Sequence, residues 1–281
     1  MSRFTRTAVA IAGAAALALG LAACAAEQPV GPGTEDNSVG FVNPGVLTIG
    51  TGEPAYYPWV IDDNPESGEG FEAAIAYAVA EELGFSPDQV KWERTTFEEA
   101  IAPGPKNFDF NLQQYSITEE RKANVDFSSA YYETSQAVIV RADSPAASAT
   151  SLAELKGLLI GAASGTTSFA AVEQHVAPDS GVQVFNSNDD AKLAFENNQI
   201  DALVVDLPTA FYLTGVELTD SIILGQLPAT AGGDQFGLVL AKDSPLTAQV
   251  TAAVDALRAN GTLDAIAQQW LADAVDAPVL K

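Results

Sequence analysis

Sulfur and imidazole are almost missing from this chain: its 281 residues include one cysteine, one histidine and one methionine. A lone cysteine closes no disulfide within the chain. One histidine with one cysteine also excludes the usual Cys/His zinc sites and a Cys–His nucleophile, and no metal or cofactor is implied. Cations are scarce, with 13 Lys and Arg against 37 Asp and Glu and a net charge of −24. So acidic a surface repels nucleic acid and anionic headgroups. The chain has no Gly-x-Gly-x-x-Gly, Gly-Lys-Ser/Thr or Gly-x-Ser-x-Gly, so neither a phosphate loop nor a serine-hydrolase elbow is signalled. No sequence repeat recurs at a fixed period.

What is present begins with an address. Arg3 and Arg6 precede an uncharged apolar stretch over residues 8–23, short of the ~20 residues of a comfortable membrane span. It ends in Leu21-Ala22-Ala23-Cys24, which resembles the lipobox of bacterial lipoproteins. That resemblance implies a signal peptide over residues 1–23 and a lipidated Cys24 that anchors the protein to the outer face of a membrane. The other reading is an ordinary secretory signal with an incidental Cys24. Residues 24–43, rich in Gly, Pro, Glu, Asp and Ser, read as a disordered tether. Residues 1–23 hold two arginines and no acid, so the remainder carries −24 − 2 = −26.

Beyond the tether the pattern alternates. Short apolar runs at residues 46–50, 90–93 and 108–112 read as strands, and residues 71–83, closed by Gly84, and 97–101 as helices. Residues 62–70 read as a hairpin, not a calcium loop, because Ser67 stands where the turn needs glycine. After residue 135 the rhythm restarts, with strands at 136–140, 158–162, 182–185 and 202–205. Helices fall at 151–156, 168–175, 189–198 and 207–214. A further extended run (236–241) and two helices (245–259, 262–272) close the chain. Strand–helix alternation predicts an α/β fold with largely parallel sheets, and the restart predicts two lobes.

Several clusters carry chemistry, each with a plainer reading beside it. Ser116-Ile117-Thr118-Glu119-Glu120-Arg121-Lys122 puts a hydroxyl and a guanidinium within reach of one small carboxylate. Taken alone, Arg121 reads rather as pairing with a neighbouring glutamate in a solvated turn. Ser164-Gly165-Thr166-Thr167-Ser168 lies between a strand and a helix, where free N–H groups attract an anion or a hydroxyl simply caps the helix. Asp206 ends a strand before Leu207-Pro208, placed either to receive an ammonium group or to cap. Tyr56, Tyr57 and Trp59 could wall a cleft or fill a lobe. Glu53 could read a ligand's side chain or lie in solvent. His175, near a helix end, reads as structural.

Taken in order, Gly70-Phe71-Glu72, Phe108-Asp109, Ser116 to Lys122, Val125-Asp126-Phe127-Ser128, Tyr131-Tyr132, Ser164-Gly165-Thr166 and Asn260-Gly261-Thr262-Leu263 make the chain resemble a known family. It is similar, over residues 46–271, to the polar amino-acid-binding proteins of ABC importers, the family-3 bacterial extracellular solute-binding proteins. The resemblance implies a two-lobed periplasmic-binding-protein type II fold with a ligand cleft and two hinge segments, at residues 131–135 and 232–236. Lobe 1 would hold residues 44–135 and 236–281, and lobe 2 residues 136–231. It further implies a carboxylate held by Arg121, Ser116 and the backbone N–H of Thr167. The ammonium would meet Asp206, Ser116 and the Gln114 carbonyl, with Tyr56 against the side chain; Glu53 and Trp59, from the same loop, are the further candidates for ligand contact. Three departures stand out: Gln114 and Thr167 replace common glycines, and Ala163 replaces a lysine of glutamine-binding relatives. With Glu53 acidic, a polar or cationic amino acid is the expected ligand. The expected protein is a monomeric, lipid-anchored receptor that docks on importer permease subunits and does no chemistry. The rivals are an enzyme on this fold, similar to cyclohexadienyl dehydratases with Glu53 as the acid, and a sensory ligand-binding module.

Overall fold

Strand β1 (Leu47–Gly52) is buried at all six positions, as expected of a strand covered on both faces. It lies between two parallel neighbours, β2 (Val90–Thr95) and β3 (Phe110–Asn111). Two antiparallel strands complete this first sheet: β4 (Val125–Thr134) and β10 (Asp234–Ala241), in the order β2-β1-β3-β10-β4. The structure is a computed structural model and describes residues 40–229, 233–271 and 277–281. The expected signal peptide, Cys24 and the tether through residue 39 lie outside those residues.

Helix α1 (Phe71–Glu82) buries Phe71, Ile75 and Val79 on the first sheet, where they meet Leu47, Ile49, Phe110 and Phe236. Gly70 starts α1 at φ +107°, with the Trp59 carbonyl 2.5 Å from where a Cβ would stand. Only glycine fits so close an approach. α2 (Phe97–Ile101) and α3 (Glu119–Lys122) are short, each opened by a threonine whose hydroxyl accepts a backbone N–H.

Ser135 alone separates β4 from β5 (Gln136–Arg141), a strand of the second sheet. Its order is β7-β6-β8-β5-β9, with β6 (Ile160–Ala163), β7 (Gln183–Phe185), β8 (Ala202–Asp206) and β9 (Ser221–Gln226). Alternate residues of β5 and β8 feed separate cores on its two faces: Val138, Val140, Ala202 and Val204 on one, Ala137, Ile139, Leu203 and Val205 on the other. Helices α4 (Leu152–Leu155), α5 (Thr167–Ala171), α6 (Asn188–Glu196) and α7 (Leu207–Tyr212) flank it. The chain returns through β10, and α8 (Thr247–Ala259) and α9 (Thr262–Trp270) then pack on the first lobe's core. The α/β alternation and the two lobes stand, but the sheets are mixed rather than largely parallel, because β10 runs antiparallel to β3 and β4, and β5 antiparallel to β8 and β9.

Four further expectations need correction. Residues 62–70 form two 3₁₀ turns, Ile61–Asp63 and Pro65–Ser67, not a hairpin. Strand β9 was not anticipated. Residues 40–43 are not loose tether: Phe41 packs edge-on against Phe85 at 5.1 Å, and the Val42 N–H donates to Asp109 Oδ1 at 2.7 Å. Finally, residues 277–281 do not stay with lobe 1. Val279 bridges Gln226 of β9, and Leu280 sits in the second sheet's core, because burying that leucine there satisfies its N–H on the Gln226 carbonyl.

Candidate functional site

A cavity of about 280 Å³ opens between the two sheets, at the C-terminal ends of β1, β6 and β8. Glu53, Tyr56, Gln114, Ser116, Arg121, Thr167 and Asp206 all line it. Seven of the eight residues expected to meet ligand therefore converge from parts of the chain up to 153 positions apart (206 − 53). Trp59 does not. It is 1 % exposed, packed against Phe71, Tyr132 and Phe236, and its indole N–H donates to Thr209 Oγ1 on α7 at 3.1 Å. Its bulk fills the lobe interior while its polar edge joins the lobes.

Arg121 is held on α3 by the turn that Thr118 caps. Its Nη1 donates to the Ser116 carbonyl at 2.7 Å and its Nη2 to the Gly165 carbonyl of the other lobe at 2.8 Å. The guanidinium lies over the Phe97 ring, 5.2 Å from its centre. Neither Glu119 nor Glu120 pairs with it, so the solvated-turn reading fails: Lys122 takes Glu119 instead. Two of five N–H donors are committed to carbonyls, leaving donors for a carboxylate in the cavity. Burial pulls its pKa below the ordinary guanidinium value. Across the cleft, Ser116 Oγ lies 3.1 Å from Thr167 Oγ1. Thr166 caps α5 by accepting the Phe169 N–H, and the first residues of the helix, Thr167 and Ser168, line the cavity with backbone N–H groups that have no intrahelical acceptor.

Asp206 stands at the start of α7 but makes no side-chain cap. Its Oδ1 accepts instead from Gln136 Nε2 at 2.7 Å, and the same amide reaches Asp234 at 2.5 Å. Gln136 opens β5 and Asp234 opens β10, so both crossover segments converge on this carboxylate. Burial, then the Asp234 charge, pushes the Asp206 carboxyl up to about 7. An incoming ammonium would relieve both effects.

Gln114 carries φ +51°, in the left-handed region that glycine prefers. Glu72 of α1 holds it there, accepting its backbone N–H at 2.8 Å and its side-chain amide at 2.5 Å. Tyr131 O–H donates to the same carboxylate. Glu72 stands in a stretch that carries the resemblance, but sequence reasoning assigned it no role and missed Gln136. It also missed Glu98, whose Oε1 accepts from Ser164 Oγ across the cleft at 2.8 Å, and Phe97. Neither a lone acid in a helix nor a strand-opening glutamine carries a local signal of such a role.

A two-lobed α/β protein whose cleft sets Arg121 of one lobe opposite Asp206 of the other, with Glu53 and Glu98 also in the lining, has the build of a receptor for a small zwitterion. The chain belongs to the bacterial extracellular solute-binding proteins, family 3, whose model matches residues 47–273. It is 31 % identical over 226 residues to the L-arginine-binding protein of Pseudomonas aeruginosa, covering 78 % of this chain and 85 % of that one. It is 28 % identical over 222 residues to the ABC transporter glutamine-binding protein GlnH of Bacillus subtilis (74 % and 75 %). Among solved structures, an ancestral arginine-binding protein bound to arginine superposes with a TM-score of 0.67 at 32 % identity, covering 80 % and 98 %. An ancestral amino acid-binding protein, a precursor of cyclohexadienyl dehydratase, superposes at 0.66 and 27 %, covering 81 % and 95 %.

Proposed function

We propose that this protein captures a polar or cationic α-amino acid outside the cell and hands it, unaltered, to an ABC-type importer. The observation that carries the reading is the pairing of Arg121 with Asp206 across one cavity of about 280 Å³. The carboxylate is taken by Arg121, Ser116 and the Thr167 N–H, and the ammonium by Asp206, Ser116 and the Gln114 carbonyl. Tyr56 and Glu53 attend the side chain, and Trp59 acts from behind the wall. Relatives named for arginine and for glutamine support an amino acid as the ligand class. The work is divided between a lobe of residues 44–135 and 236–271 and one of residues 136–229 and 277–281. Cys24 anchors a single copy to the membrane surface, so that the closed receptor meets permease subunits.

An enzyme on this fold is the rival, favoured by the dehydratase precursor's likeness and by Glu53 and Glu98 in the same cavity. A thermal-shift screen of residues 27–281 against the twenty amino acids, ornithine and citrulline decides. At 100 times its Kd a ligand stabilises by about 2.7 kcal/mol, several degrees in Tm. The expected result is one responding chemical group, lost in Arg121→Ala, with ligand recovered unchanged by mass spectrometry. A flat screen with folded protein would sink the reading, and a dehydrated product would favour the enzyme.

A further inference from the structure

Beside the ligand cavity lies a second chamber of about 310 Å³, bounded by Asp62, Asp63, Asp189 and Glu217 with Lys192. Three residues line both spaces and so form the partition: Tyr56, Gln114 and Asn188. Two of them are held where they stand. Tyr56 O–H donates to Asp189 Oδ2 at 3.2 Å. Gln114 is fixed more firmly, through its backbone and its side chain at once, by a carboxylate that is 2 % exposed. Asn188 Oδ1 is buried with no protein donor among the described residues, so the partition has a polar face still unused.

The backbone at 114 adds a second argument. A glycine would adopt φ +51° without strain, whereas a glutamine needs compensation. Glu72 supplies it with two hydrogen bonds, and no cation pairs with Glu72 among the described residues. A side chain kept at such a cost in a cavity wall has a use there. The space behind it carries four acids against one lysine, and that lysine already bonds to Glu217 and approaches Asp189 at 3.7 Å. Arg94 takes Asp63 at 2.6 Å, yet acids still outnumber bases around the chamber, so a cationic tail that crossed the partition would meet net negative charge.

We propose that Gln114, clamped by Glu72, is a specificity-determining wall that sets the upper length of the ligand's side chain. It shuts ω-cationic α-amino acids of greater length out of the acidic outer chamber. This rests on the amino-acid reading above and narrows it to ligands whose tail ends within the inner cavity. Glu72 touches no ligand and is a positioning residue.

The experiment measures association constants by calorimetry for 2,4-diaminobutyrate, ornithine, lysine and homoarginine, with wild type, Gln114→Gly and Gln114→Ala. Glycine suits φ +51°, so the first variant should fold; the second guards against an effect of backbone freedom alone. The expected result is a ratio of homoarginine to ornithine affinity at least ten-fold higher in both variants than in wild type. Wild type that binds the series with a ratio unchanged in the variants would overturn the wall and leave the amino-acid reading standing. No binding of any member to any of the three proteins would overturn the wall and the cationic ligand class, while the screen of all twenty amino acids decides the amino-acid reading itself.

Discussion

At Asp206 a strand end and a helix start share one residue, and its carboxylate ignores the helix. It bonds to Gln136 and faces the Asp234 carboxyl on β10, Arg121 on α3 and, further off, Glu72 on α1. Burial and Asp234 together raise it to about 7 without ligand, while an ammonium ligand requires the ionised form. Affinity therefore rises with pH through about 7 and falls below it by up to about ten-fold per unit, with proton release on binding. Calorimetry in buffers of different ionisation enthalpy reads this directly. Asp206→Asn should bind more weakly and lose the dependence; an unchanged pH profile would place the proton elsewhere. The sign for stability is the reverse. Asp206 and Glu72 both have raised values, near 7, so the stability they contribute is present below about 4 and lost as pH rises to 7. At this scale the sequence was informative about chemistry and silent about supports. Arg121, Ser116 and Asp206 offered suitable groups by type, each with a plainer reading open beside it, but Glu72 lies 42 positions from Gln114 and only the fold joins them.

Among the elements, those with strong apolar periodicity were legible. β1, β5, β6, β8 and α1 fall where their sequence patterns put them. β9 was not legible, since it reads Ser-Ile-Ile-Leu-Gly-Gln after a turn and takes its extended form from pairing with β5. The C-terminal segment is a clearer case of context deciding. Residues 277–281 cross back to the second sheet, where Leu280 is 3 % exposed beside Val138 and Leu224. Leu280→Ala should cost about 2–5 kcal/mol by urea denaturation, as truncating a buried leucine does. A cost below about 0.5 kcal/mol would mean that this segment is not part of the core. The same segment bonds to Leu152 through the Lys281 carbonyl, so it fastens the start of α4 as well.

For the whole molecule the lobes meet along a line of polar contacts around the cavity. Trp59 reaches Thr209, Tyr56 reaches Asp189, Ser164 reaches Glu98, and Arg121 reaches Gly165. Tyr57 and Tyr212 stack across the same boundary, 4.4 Å between ring centres. Each contact exists only while the lobes are together, so each favours the closed form, and a ligand that bridges Arg121 and Asp206 adds to them. Thr209→Val keeps the volume and removes the acceptor for Trp59. The loss of one hydrogen bond, about 0.5–1.5 kcal/mol, should raise the ligand off-rate roughly two- to ten-fold in a chase with unlabelled ligand. An unchanged off-rate would show that the Trp59–Thr209 contact does not hold the cleft shut.

By itself the sequence determined the α/β alternation, the restart that makes two lobes, and the residue types able to hold a zwitterion, because periodicity and functional-group chemistry are local properties. Tertiary structure decided which of two readings each candidate took. Asp206 became a cavity carboxylate rather than a cap because Gln136 from another strand offers it a better donor. Arg121 turned from its neighbouring glutamates because two carbonyls on opposite lobes hold its fork. Trp59 went inward because its ring is worth more in the core of α1 and β10 than against a small polar ligand. Those outcomes depend on partners brought from far along the chain, and no local pattern encodes them.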